Sequence, residues 1–169
     1  DPEAAEAALR KVLAFDPTNE AALERLSSMF ARRGSHKEYV VSLEQKLEAA
    51  PSIEARKEIL REIARAYDEN LGSPEDAENA LARALELEPD QQTLDVLVAL
   101  QRRQGNHAAV ASSLLRMRDI AQTPEERSRI QVEVAQVYER DLKDDEAAVE
   151  GFRQALEFDP ANVAALEAL

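Results

Sequence analysis

The sequence repeats itself at a spacing of about 71 residues, and this repetition limits the possible folds more than any other feature. Residues 56–90 match residues 127–161 at an offset of 71, and residues 2–17 match residues 74–89 at an offset of 72, with eight of sixteen positions identical. Such self-similarity indicates a repeat architecture, in which each unit buries its apolar face against its neighbours. We therefore expect a stacked array and not a single globular bundle.

Each period divides into two similar halves, and each half predicts a pair of amphipathic helices. Leu23, Leu26 and Phe30 fall on one helical face, and Gly34 then interrupts the pattern. We name the first helix of each pair A and the second B. The predicted A helices are 19–33, 53–70, 91–104, 124–141 and 162–169, and the predicted B helices are 2–15, 36–49, 74–87, 107–121 and 145–158.

The helix junctions resemble those of the tetratricopeptide repeat. The runs Ala-Leu-Glu-Leu-Glu-Pro at 84–89 and Ala-Leu-Glu-Phe-Asp-Pro at 155–160 are similar to the ending of that repeat. The aromatic and small residues of its two helices are matched by Tyr67, Tyr138, Ala77 and Ala148. The resemblance, to a bacterial-type array, implies an all-α fold: a right-handed superhelical solenoid of antiparallel helix pairs, with about ten helices.

The resemblance covers the whole chain and implies one array over 1–169. Its predicted divisions are a partial repeat 1–17, repeats 18–51, 52–89, 90–123 and 124–160, and a partial repeat 161–169. Two repeats carry one extra residue before the turn between their helices, at Leu71 and Leu142, and we expect an altered turn there. The chain opens in a B helix and ends within an A helix, so we expect a fragment of a larger repeat protein.

Composition argues against several classes of function. The chain has 34 acidic and 21 basic residues and a formal charge of −13, which disfavours nucleic-acid binding. Cysteine is absent, and no apolar run of about 18 residues predicts membrane insertion. There is no phosphate loop and no Ser/His/Asp set, and His36 and His107 lie 71 residues apart in equivalent turns. We therefore expect that the chain is not an enzyme and that it has no cofactor site and no metal site.

The aromatic residues follow the apolar stripes, so we expect them in the core and not on a ligand platform. They are Phe15, Phe30, Tyr39, Tyr67, Tyr138, Phe152 and Phe158.

The resemblance implies that the A helices line a concave groove and that the B helices form the outer side. Formal charges sum to −3 over the A helices and to −10 over the B helices with their turns. The candidate partner-binding residues of the groove are Arg25, Ser28, Arg32, Arg61, Arg65, Glu69, Arg102, Arg103, Arg129, Gln136 and Arg140. Because arginine offers a fork of donors to carboxylates, these residues favour an acidic peptide or a C-terminal carboxylate. The alternative is pairing within one helix, as between Glu58 and Arg61.

These features predict a protein-interaction scaffold that binds a partner peptide or domain in the groove. The alternative is a structural spacer, a self-associating module or an assembly subunit of a larger bacterial complex, without peptide binding. The uncapped terminal helices, with apolar Leu166 and Leu169, would then dock end to end. We expect the cytoplasm as the location, with the periplasm as the alternative.

Overall fold

The computed structural model describes residues 2–169, and every regular element in that range is a helix. The helices are α1 (Pro2–Phe15), α2 (Glu20–Arg33), α3 (His36–Ala49), α4 (Ile53–Arg65), α5 (Pro74–Leu87), α6 (Gln91–Arg103), α7 (His107–Ile120), α8 (Pro124–Val137), α9 (Asp145–Phe158) and α10 (Val163–Ala168). Two π-helical segments, Ala66–Leu71 and Tyr138–Leu142, continue α4 and α8. None of the helices in 2–169 is long and apolar enough to cross a membrane.

Short polar side chains start several of these helices. Asn19, Asp90 and Asn162 each accept a hydrogen bond from a backbone N–H of the first turn, at 3.0, 2.9 and 3.2 Å. Such caps satisfy amide groups that have no partner inside the helix. The capping residues therefore determine where α2, α6 and α10 begin through local hydrogen bonds, independently of tertiary packing.

The chain folds into two compact units, which divide between Glu88 and Pro89. In the first unit, α1 to α5 each pack against the next helix, and in the second unit α6 to α10 do the same. Helices of the same type also lie beside each other within a unit. Arg83 of α5 binds Glu44 of α3 through two bonds of 2.7 and 2.9 Å, and Arg102 of α6 lies 3.4 Å from Glu133 of α8.

This packing confirms the predicted all-α fold of helix pairs, with α2, α4, α6, α8 and α10 as A helices and the others as B helices. The single array over 1–169 and its repeat boundaries stay predictions.

Small residues lie where an A helix meets a B helix. Ala77 and Ala148, which the resemblance marks as small contact positions, are 0% and 3% exposed. The closest approach is at Gly151 of α9, where an added Cβ would lie 2.9 Å from the Cβ of Ala135 in α8. Helix axes can approach this closely only when neither side chain is larger than a methyl group.

Most aromatic side chains are buried or half-buried, as predicted, but Phe15 is not. Phe30 and Phe152 are each 3% exposed, whereas Phe15 is 95% exposed. The expectation of a core position for Phe15 is therefore wrong. Phe15 is the last residue of α1, whose main packing partner is α2. The equivalent Phe158 is half-buried at the end of α9, a helix that contacts both α8 and α10.

The extra residue at Leu71 and at Leu142 is taken up by the π-helical segments. A π-helical turn holds one residue more than an α-helical turn, so the insertion does not lengthen the loop. Each segment ends in the left-handed region, at Gly72 with φ 60° and at Lys143 with φ 57°. Lys143 is the one non-glycine residue with positive φ among residues 2–169.

Placing glycine at position 143 and lysine at position 72 tests the backbone strain at the end of each π-helical segment. We expect Lys143→Gly to stabilise the second unit by about 1 kcal/mol, because a side chain in the left-handed region costs energy that glycine avoids. Gly72→Lys should destabilise the first unit by a similar amount. Thermal unfolding followed by circular dichroism measures both. Lys143→Ala is the control, since it removes the charged side chain and keeps the strain; a gain equal to that of Lys143→Gly would contradict the explanation.

Gly151→Ala tests the close contact of α8 with α9. Alanine favours a helix over glycine by about 1 kcal/mol, but the new methyl group must displace Ala135 at an overpacking cost of about 1–3 kcal/mol. We therefore expect a net loss of stability in chemical denaturation. Arg153→Ala, at an exposed position of the same helix, should change stability by less than about 0.5 kcal/mol. A stabilised Gly151→Ala variant would show that the two helices can move apart freely.

Candidate functional site

One exposed face of α2 combines a pocket with unpaired positive charge. The pocket has a volume of about 470 Å³ and lies within the first unit. Three predicted groove residues, Arg25, Ser28 and Arg32, line it together. Their spacing of three and four residues places them on one side of the helix. The other lining residues, which the sequence did not single out, are Pro2, Glu24, Met29 and Arg33.

Two of the charged residues that line the α2 pocket are held by other helices. Arg33 donates to Glu6 of α1 at 3.0 Å, and Lys46 of α3 donates to Glu24 at 2.7 Å. The hydrogen bond and charge of Lys46 hold the pKa of Glu24 below its ordinary value. Glu24 therefore stays ionised and bound to Lys46 near neutral pH.

Arg25 and Arg32 have no such partner. Both are exposed, and neither forms an ion pair with a residue of the described range 2–169. The hydroxyl group of Ser28 lies between them in sequence and donates a weak hydrogen bond to Glu24 at 3.4 Å. The pocket thus offers two guanidinium groups whose donors are available to a ligand.

Arg65 of α4 is exposed beside a polar contact between α3 and α4. The hydroxyl group of Tyr39 donates a hydrogen bond to Glu62. Burial raises the pKa of Tyr39, and the carboxylate of Glu62 raises it further. Tyr39 therefore remains protonated and keeps its hydrogen bond to Glu62. Arg65, a predicted groove residue, does not line the α2 pocket.

Arg61 is buried, unlike Arg25 and Arg32, and its place among the candidate partner-binding residues stays a prediction. Its side chain is 4% exposed, and it donates to Glu58 at 2.6 Å and to Glu54 at 3.1 Å. Lys57, also 4% exposed, lies 3.1 Å from the same Glu54. The pairing of Arg61 with Glu58 that the helix spacing favoured is thus present. Lys57 and Arg61, in that order of effect, lower the pKa of Glu54 through hydrogen bonds.

In the second unit, the predicted arginines have carboxylate neighbours. Arg102 and Arg129 approach the same Glu133, at 3.4 and 3.8 Å, and Arg140 lies 3.7 Å from Glu139. Of the remaining predicted residues, Arg103 in this unit and Glu69 in the first unit are exposed, and Gln136 is half-buried. A ligand carboxylate would compete with Glu133 for Arg102 and Arg129, which is not the case at Arg25 and Arg32.

The buried cations of α4 predict a pH dependence. The folded pKa of Glu54 is below its ordinary value of 4.5, so its contribution to stability is present above that value and is lost as pH falls through the folded pKa. We expect Glu54→Gln to lower the melting temperature at pH near 6 and to flatten its decline on acidification. Glu86→Gln, an exposed residue of α5, is the control. An acid profile of Glu54→Gln identical to that of the unmodified chain would contradict this assignment.

Comparisons with known proteins agree with this architecture. The model of the tetratricopeptide repeat family matches residues 58–91 and 128–162, which contain most of α4 with α5 and most of α8 with α9. No curated protein has a sequence that matches the chain significantly.

Several solved structures share the fold. YrrB, a TPR protein with an unusual peptide-binding site, is 20% identical with a TM-score of 0.53, covering 99% of this chain and 82% of that one. The MamA protein is 25% identical with a TM-score of 0.54, covering 95% of this chain and 84% of that one. PilF of Pseudomonas aeruginosa is 16% identical with a TM-score of 0.52, covering 94% of this chain and 69% of that one.

The repeat family is one of protein–protein interaction scaffolds in general. Both matched segments carry the helix pair and the small contact residues described above. Residues 58–91 and 128–162 match the tetratricopeptide repeat, and the chain shares its fold with solved tetratricopeptide-repeat structures.

Proposed function

We propose that the chain is a scaffold that binds an acidic peptide segment of a partner protein at the α2 pocket of the first unit. The observation that carries this proposal is the unpaired state of Arg25 and Arg32 in a pocket of about 470 Å³. Each guanidinium group can form two parallel bonds with a carboxylate. A peptide with two neighbouring acidic side chains, or one acidic side chain and a C-terminal carboxylate, matches this arrangement.

The charges around the pocket favour this site over the other arginines. Binding at Arg102 or Arg129 must first displace Glu133, and Arg61 is enclosed with Glu54 and Glu58. Binding at Arg25 and Arg32 breaks no ion pair with a residue of the described range 2–169. An exposed ion pair with the ligand contributes only about 0–1 kcal/mol. Where an existing ion pair must be broken first, its loss offsets this gain, so sites without such a pair are favoured.

Met29 and Pro2 give the pocket an apolar part beside its charges. A peptide backbone can pack there while its carboxylates meet the guanidinium groups, so that affinity does not depend on charge alone. The net charge of −13 opposes the approach of acidic peptides over long distances. We therefore expect contacts inside the pocket, and not long-range attraction, to set the affinity. The peptide-binding site of YrrB supports a peptide as the kind of ligand that this fold can hold.

A second candidate is the self-associating assembly module, and the exposed apolar side chains of the end helices favour it. Val163, Leu166 and Leu169 of the α10 region are 64%, 54% and 55% exposed, and Phe15 of α1 is 95% exposed. Association would cover these apolar side chains on either unit. This candidate requires oligomers whose formation depends on protein concentration and not on acidic peptide.

Charge reversal at the pocket tests the proposal. We expect a fluorescein-labelled glutamate-rich peptide to bind the unmodified chain, and Arg25→Glu with Arg32→Glu to weaken binding by at least about tenfold, measured by fluorescence anisotropy. Arg116→Glu with Arg153→Glu changes the net charge equally at exposed positions of α7 and α9 and is the matched control. Arg25→Lys with Arg32→Lys keeps the charge without the fork and should give an intermediate affinity.

Two results would contradict the proposal. One is equal weakening by the α2 pair and by the control pair, which would reduce the effect to net charge. The other is the absence of binding together with concentration-dependent oligomers in sedimentation velocity, which would favour the assembly module.

A further inference from the structure

A second cleft of the first unit lies between the B helices α1 and α3. Its volume is about 270 Å³. Leu26 and Phe30 of α2 form its floor, and its walls include Arg10 of α1 with Val41 and Gln45 of α3. We call it the α1–α3 cleft. It shares no lining residue with the α2 pocket.

The neighbouring gap between α3 and α5 also holds a cleft, of about 310 Å³, but it differs in being bridged by an ion pair. All three B helices have fourteen residues, and the ninth residue of α3, Glu44, binds the tenth residue of α5, Arg83, through two bonds. The equivalent pair between α1 and α3 is Arg10 and Gln45. A neutral amide cannot form the ion pair, and Arg10 instead lies 3.1 Å from Glu6 and 5.9 Å from the ring centre of Phe30. The gap is therefore not bridged at this position.

Val41 is an unusual residue for its place in the repeat. The sixth residue of the other B helices is small or polar: Ala7, Asn79, Ser112 and Glu150. Val41 is 60% exposed at the edge of the cleft, above the floor residues Leu26 and Phe30, which are 2% and 3% exposed. An aliphatic side chain that entered the cleft would cover Val41 and remove its apolar surface from water.

The charge of the α1–α3 cleft differs from that of the B helices as a group. The cleft is lined by two cations, Arg10 and Lys37, and one carboxylate, Glu38. Lys37 forms no ion pair with any residue between 2 and 169, whereas the B helices and their turns carry −10 in total. The cleft thus has an apolar floor and a rim on which Arg10 is paired with Glu6, whereas Lys37 has no ion-pair partner among residues 2–169.

We propose that the α1–α3 cleft is a second binding site, which takes an aliphatic side chain from an acidic segment of a partner protein. The aliphatic group would pack against the exposed Val41, above Phe30, and the flanking carboxylates would meet Lys37 first and Arg10 in competition with Glu6. This inference is independent of the α2 pocket, because no residue is shared. A chain with both sites would hold two segments, on an A helix and between two B helices.

Two substitutions in α3 test the cleft without disturbing the core. The probe is a short blocked peptide with one leucine flanked by glutamates, and the chain carries Arg25→Glu and Arg32→Glu so that the α2 pocket does not contribute. We expect the peptide to bind, and Val41→Ser to weaken binding by about tenfold, since it removes the apolar edge. Gln45→Glu should also weaken it by about tenfold, because Arg10 then has a carboxylate opposite, as Arg83 has in Glu44. Gln92→Glu, exposed on α6, is the charge-matched control and should leave affinity unchanged.

Peptide variants separate the two parts of the recognition. Replacing leucine by serine, or glutamates by glutamines, should each reduce binding at the cleft. Two-dimensional NMR of the labelled chain should place the shifted methyl and amide signals at Val41 and its neighbours. Three results would each overturn the proposal. The peptide could fail to bind in this background, its affinity could be unchanged by Val41→Ser and Gln45→Glu, or the signal shifts could be confined to other helices. Because the α2 pocket is already disabled, none of these results bears on the function proposed for that pocket.

Discussion

The close contact between neighbouring helices is the interaction on which the rest of the structure depends. Where α8 meets α9, a glycine faces an alanine, and an added methyl group would lie 2.9 Å from its neighbour. At that distance the larger side chains on either side, such as Phe152 and Val132, can close over the contact and exclude water. Each helix pair is then stable only with another pair beside it, as expected for a chain that buries its core between repeats.

Periodicity in the sequence was sufficient to predict the helices. Apolar stripes, prolines and short capping residues act locally, and each predicted helix bound lies within one residue of the observed bound except at α4 and α8. At those two helices the sequence indicated one extra residue but not its conformation. Whether an inserted residue lengthens a loop or widens a turn depends on the contacts of the π-helical segments with α3, α5, α7 and α9, and these are tertiary.

The predicted binding residues were less well determined, for a physical reason. Helical spacing identifies which residues share a side of one helix, but not which carboxylate of another helix reaches them. Arg61 and Arg25 look alike in the sequence, yet Arg61 is buried and bound to two glutamates, whereas Arg25 is exposed and forms no ion pair with any of residues 2–169. The pairing of Lys46 with Glu24 joins α3 to α2 and gave no signal in the spacing of either helix. Candidate function therefore follows from the distribution of ion pairs and not from the number of arginines.

The π-helical segments also bear on how such a chain tolerates changes of length. An inserted residue in an ordinary helix would rotate every later side chain by about 100° and turn the apolar stripe away from its neighbour. Here the extra residue lies in one widened turn that ends at Gly72 or Lys143, and α5 and α9 pack against α4 and α8. Helix pairs of unequal length can thus occur in one chain, because the widened turn accommodates the extra residue locally.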